Sequence, residues 1–269
     1  MNIYFPRPKA LLRALLITVL VLHVISLGSH FIYHYLGIHN LVPYFGRLTG
    51  FVNVDKEANI PTWFSSMLLA GSSFVLWGVY RHVRDTRGRY RWHWAVLCGV
   101  FAVLSMDELS HIHEMAGRFG LAGSGRTAYL SWVVAVAPFV LLFAVTYLRF
   151  LLHLPKAVRR LVAWSGVLYV GGAAGLEVAG ALGRTLTEHV GPGRPYFNYL
   201  LYASAEEALE MVGAVLFLYA MTLHLRDLRR ADPGPAATPG QARPAETRRG
   251  APHRLTANRP SPAGRPARR

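Results

Sequence analysis

Residues 14–33 read ALLITVLVLHVISLGSHFIY, twenty positions without an Asp, Glu, Lys or Arg. That is the length of apolar chain an α-helix needs to cross a bilayer, about 20 residues. The run is too long for a signal-peptide core, and no A-x-A cleavage pattern closes it, so it reads as a retained first span. Five similar segments follow, and the six spans fall at residues 10–35, 61–80, 92–114, 127–148, 161–182 and 198–224. The connections are short apart from residues 36–60, a 25-residue loop before the second span. The sequence therefore predicts an all-α polytopic integral membrane protein, a six-helix transmembrane bundle over residues 1–230.

Composition supports this. Of 269 residues, 52% are hydrophobic and 16% charged, against about 25% charged in soluble domains, and mean hydropathy is +0.27. A water-soluble globule is excluded. The single cysteine, Cys98, excludes an intrachain disulfide and a cysteine-based zinc cluster; it reads as a small apolar filler at mid-span. No glycine motif follows a strand to cradle phosphate, and neither Ser65 nor Ser66 has the surroundings of an activated nucleophile.

The net charge of +15 is explained by where the basic residues lie. The N-terminus, the 81–91 and 149–160 loops and the C-terminal tail hold 23 Lys and Arg, and the opposite loops hold six: Arg47, Lys56, Arg118, Arg126, Arg184 and Arg194. By the positive-inside rule both termini are cytoplasmic, as in a multi-pass cell-membrane protein. Residues 231–269 form an Arg/Pro-rich cytoplasmic tail. From Asp232 onward it holds eight of the chain's 16 prolines, no Phe, Trp or Tyr, and one large aliphatic residue, Leu255. So little apolar surface does not offset the entropy of ordering, and the tail is expected to be disordered. Its eight Arg suit anionic lipid head groups, at about 1 kcal/mol each near the surface. Without a folded module or aromatic residues beside the charge, nucleic acid is not an expected partner.

The acids carry the functional signal. Nine of the 14 lie at or inside the spans: Asp55, Glu57, Asp107, Glu108, Glu114, Glu177, Glu206, Glu207 and Glu210. A carboxylate at the centre of a lipid-facing helix costs on the order of 3 kcal/mol, so such residues face the bundle interior and have a partner. The topology places all nine in or just above the outer leaflet. At 100° per residue, Asp107, His111 and Glu114 share about 60° of arc, and Glu206, Glu207 and Glu210 about 100°. The small face Gly171-Gly172-Ala173-Ala174-Gly175 lets a neighbouring helix come close, with Glu177 beside it. No Lys or Arg lies in the outer half of any span, which leaves protonation or a metal cation to balance the acids. His111, with His30 and His34 near the outer end of the first span, favours a metal, because carboxylate plus imidazole is the ligand set of iron, manganese or zinc. The expected ligands are Glu57, Asp107, Glu108, His111, Glu114, Glu177, Glu206, Glu207, Glu210, His30 and His34, with Glu207 and Glu210 as catalytic carboxylates.

In chain order come Glu57, Glu108-Leu109-Ser110-His111, Glu177 and Glu207-Ala208-Leu209-Glu210. This order and spacing resembles the ligand scheme of carboxylate-bridged di-metal bundles, a Glu from each of two helices plus Glu-x-x-His from each of two others. It departs where Glu210 replaces the second His and where Glu57 precedes Pro61. The fragment Glu57-Ala58-Asn59 is similar to the acid–asparagine element of membrane hydrolases of the ceramidase and adiponectin-receptor type, whose late H-x-x-x-H has no counterpart here. The expectation is a membrane metalloenzyme acting on a lipid or other amphiphile, oxidatively with a redox metal pair or hydrolytically with zinc. Proton- or cation-coupled transport and a non-catalytic membrane scaffold are the alternatives. Substrate, metal identity and oligomeric state are not readable from the sequence.

Overall fold

Asn59 fixes where the second long helix begins. Its Oδ1 accepts the Thr62 N–H at 3.1 Å, and Pro61 occupies the first turn, where its missing N–H has no cost. A first-turn proline, Pro8, also opens the first helix, there without a side-chain cap. The computed structural model describes residues 7–110, 112, 131–176 and 194–231. Along the chain run α1 (Pro8–His30), a π-helical turn (Phe31–Tyr35), α2 (Phe45–Phe51), α3 (Ile60–Asp85), α4 (Arg91–Ser110), α5 (Ser131–His153), α6 (Lys156–Val170), a second π-helical turn (Gly171–Leu176) and α7 (Arg194–Ala231). Among the described residues there is no strand. His111, Glu114, Glu177 and the chain beyond Ala231 lie outside them.

Four helical stretches are long and apolar enough to cross a membrane: Pro8–Tyr35, Ile60–Asp85, Arg91–Ser110 and Tyr196–Ala231. Ala137–His153 within α5 is a shorter apolar helix. Helix α2 corrects one expectation, since it lies inside the stretch 36–60 expected to be loop. The outward faces are apolar: Ile17, Leu20 and Val24 on α1, and Phe139, Leu141 and Val145 on α5, are all exposed. Water tolerates such surface poorly and hydrocarbon accepts it.

Helix α7 is the axis, packing on α1, α3, α6 and both π-helical turns. Its 38 residues span about 57 Å at 1.5 Å per residue, longer than the roughly 30 Å hydrocarbon layer. Met211, Val215, Ala220 and Met221 of α7 share one buried cluster with Leu68, Leu69, Leu76 and Val79 of α3. Helices α3 and α4 are joined differently. The Ser66 hydroxyl donates to Ser105 O at 2.8 Å and the Ser105 hydroxyl to Ser66 O at 3.0 Å. Seven residues along, the Ser73 hydroxyl donates to Cys98 O at 2.9 Å and the Cys98 thiol to Ser73 O at 3.3 Å. Cys98 is thus a rung of a polar seam, not an apolar filler, and Ser66 is fully buried within it.

Candidate cation centre and the adjoining pocket

The acids of α4 and α7 meet at one end of the bundle. Asp107 and Glu108 are half-buried while Met106 and Leu109, on either side of them, are exposed, so the two acids turn inward. Glu206, Glu207 and Glu210 are likewise half-buried on α7. The strongest electrostatic neighbours of Glu207 are Glu210, Glu108, Glu206 and Asp55. Residues some 100 and 150 positions apart in sequence therefore share one low-dielectric volume. Asp55, Glu57, Asp107, Glu108, Glu206 and Glu210 all have further interactions of their own.

Glycines explain how α6 comes close enough to join this set. A Cβ on Gly213 would lie 2.8 Å from Tyr169 N and 2.9 Å from Ser165 O, so the α6 and α7 backbones touch there. A Cβ on Gly172, in the second π-helical turn, would lie 2.9 Å from both Glu206 O and Glu210 Cγ. This is the small-residue packing expected of the 171–175 stretch. Between these two contacts, Tyr169 has Glu210, Glu108, Glu207 and Asp107 as its strongest electrostatic neighbours. Sequence reading missed Tyr169. The signal was available, a lone phenol two residues before the glycine run and on the same helix face as Gly172.

The loop before α3 supplies Asp55 through a scaffold of its own. Asn59 Nδ2 donates to Asn53 O at 2.6 Å, the Thr62 hydroxyl lies 3.1 Å from Lys56 O, and Val54 N–H donates to Ser26 Oγ at 3.1 Å. Ala58 takes a left-handed φ of 56°, a strained choice for a residue with a Cβ. Tyr199 of α7 donates to Asp55 Oδ1 at 2.9 Å, which ties this loop to α7. Glu57 stands exposed in this loop and off any helix. Of the two neighbouring acids, Asp55 is the one aimed at α7.

His30 and His34 have different company. Their rings stack 5.6 Å apart across the first π-helical turn, and His34 lies 4.5 Å from the Tyr196 ring. His30 Nδ1 donates to Ser26 O at 2.9 Å, as His23 Nδ1 does to Val19 O at 2.8 Å, which leaves Nε2 of each as the acceptor nitrogen. The charged group acting on both His30 and His34 is Lys56. With Tyr33, Gly46, Thr49, Gly50 and Tyr196, these three residues line a pocket of about 400 Å³. On the other side of α2 lies an apolar pocket of about 420 Å³, bounded by Ile25, Ser29, Val42, Phe45, Leu48, Phe51, Val52 and Ile60, with Thr49 common to both.

The structure thus gathers Asp107, Glu108, Glu206, Glu207 and Glu210, adds Asp55 and Tyr169, and sets His30 and His34 beside Lys56. Among the described residues no group of three or more His, Cys, Asp or Glu is arranged to hold a metal ion. Residues 12–225 match the family described as Domain of unknown function (DUF8692), and the chain belongs to that family. No curated protein and no solved structure matches it.

Proposed function

We propose a six-span cell-membrane protein, both termini cytoplasmic, that holds a cation at the acidic end of its bundle and acts on a lipid or other amphiphile. The six-span topology is supported by the 23-to-six division of basic residues. Four apolar stretches of spanning length among the described residues support several crossings. The observation that carries the function is the carboxylate set around Glu207, drawn from α4, α7 and the Asp55 loop. Like charges in a low-dielectric volume must share protons or a cation.

In this reading Glu108, Glu206, Glu207, Glu210 and Asp107 hold iron, manganese or zinc, joined by His111, Glu114 and Glu177. The ion would supply Lewis acidity for hydrolysis, or an electron acceptor for an oxidation if redox-active. A carboxylate left unligated, Glu207 or Glu210, serves as general base, and Tyr169 donates a hydrogen bond to the acids around it. The test is elemental analysis of the purified chain in detergent beside Glu108→Ala and Glu210→Ala. The expected result is stoichiometric metal in the wild type, lost from both variants.

A second reading, proton sharing in a proton- or cation-coupled transporter, is favoured by the lack of a metal-ligand group among the described residues. A wild type that carries no metal selects it over the first. The scaffold reading is selected if Glu207→Gln leaves both metal content and function unchanged.

A further inference from the structure

We propose that the paired pockets around α2 seat a phosphate-headed anionic lipid, the head group against Lys56 and His34 and one acyl chain in the apolar pocket. The inference does not depend on the acid centre holding a metal. Two observations carry it. First, the polar pocket concentrates groups that can donate to an anion: the Lys56 ammonium, the His34 imidazole stacked on His30, and the phenols of Tyr33 and Tyr196 at its wall. A cation would be repelled there by Lys56, whereas a phosphate accepts charge-assisted hydrogen bonds from it. Second, an apolar pocket of similar size lies across the seven-residue helix α2, and the two share Thr49. Each is within the roughly 300–1,000 Å³ of ligand sites. A charged pocket and an apolar one, one helix-width apart, match a molecule with a charged head and a hydrocarbon chain.

The walls are built for the purpose. Lys56 is held at its backbone on both sides, its N–H donating to Asn53 O at 3.3 Å and its carbonyl lying 3.1 Å from the Thr62 hydroxyl. Gly46 and Gly50, one turn apart on α2, keep the polar pocket open. A Cβ on Gly46 would meet Tyr33 Oη at 3.0 Å, while one on Gly50 would meet no atom within 4 Å. A Cβ at Gly50 therefore has open space, and a larger side chain there takes up room in the pocket that Gly50 lines.

The experiment titrates the purified full chain in detergent with dioctanoyl phosphatidic acid, dioctanoyl phosphatidylcholine and inorganic phosphate, following tyrosine and tryptophan fluorescence. Phosphatidic acid should bind at least about tenfold more tightly than either of the others, since it alone fills both pockets with the right charge. Gly50→Leu and the double variant Lys56→Gln/His34→Gln should each weaken it by about tenfold or more, and Lys156→Gln, at the other end of the bundle, should not. Equal affinity for the two lipids overturns the proposal. So does phosphate binding as tightly as phosphatidic acid, or unchanged binding in both pocket variants. Metal content measured on the same samples stays constant in Gly50→Leu, which separates this outcome from failure of the cation centre.

Discussion

The two principal helix contacts of the bundle use opposite devices. Between α3 and α4 the contact runs through side chains, Ser66 with Ser105 and Ser73 with Cys98, each exchanging hydrogen bonds with the other's backbone. Between α6 and α7 it runs through absent side chains, with Gly213 and Gly172 letting backbone meet backbone. Lipid offers helices little hydrophobic reward for association, so close van der Waals contact and polar rungs must supply it. The difference teaches where each device belongs. Polar rungs hold the seam that leads up to the acids, and glycine contact brings a phenol and a helix backbone in among them.

Substitutions separate the two. The largest effect is expected from Gly213→Ala, whose new Cβ would press on Tyr169 N and Ser165 O, atoms that cannot rotate away. Thermal unfolding in detergent should register a loss of about 3 kcal/mol or no folded protein; an unchanged midpoint breaks the picture of touching backbones. Gly172→Ala should cost somewhat less, about 1–3 kcal/mol, because one of its close contacts, Glu210 Cγ, belongs to a side chain that can move. It should also disturb the acid cluster, read as altered metal or proton uptake relative to wild type.

The rungs should respond more mildly. A double-mutant cycle of Ser66→Ala and Ser105→Ala should give a coupling of about 0.6 kcal/mol, in the range for membrane hydrogen bonds; zero coupling would mean that the seam is held by packing alone. Smallest of all, Cys98→Ser keeps a donor at the same place and should shift stability by less than about 0.5 kcal/mol, whereas Cys98→Val should cost more by leaving Ser73 O without its thiol.

Much of this was legible in the sequence because lipid imposes strong rules. Runs such as 14–33 announce a helix by length alone, and Pro61, with Asn59 or Thr62 as the cap, marks the start of the next; the structure selects Asn59. The inward turn of Asp107, Glu108 and Glu206–Glu210 followed from the cost of presenting carboxylates to hydrocarbon. What escaped depends on local geometry that no periodicity encodes. Helix α2 is seven residues, Phe-Gly-Arg-Leu-Thr-Gly-Phe, too short and glycine-rich to show a period. The π-helical turns at Phe31 and Gly171 leave no mark in composition. The choice between Asp55 and Glu57 rests on the left-handed Ala58 and the Asn59 hydrogen bonds, which no spacing rule contains. Lys56 read as one of six stray outer cations until the fold set it against two imidazoles.

The seven-residue interval between the two serine rungs has a mechanical consequence. At about 1.5 Å per residue the pins stand some 10 Å apart along the helix pair, and a slip of either helix by a fraction of a turn would unseat both together. Glu108 comes three positions after Ser105, and the Asn59 cap comes seven before Ser66. The height of the α4 carboxylates relative to the loop that carries Asp55 and Lys56 is thereby gauged from below, by hydroxyls and a thiol one turn or more along the helices.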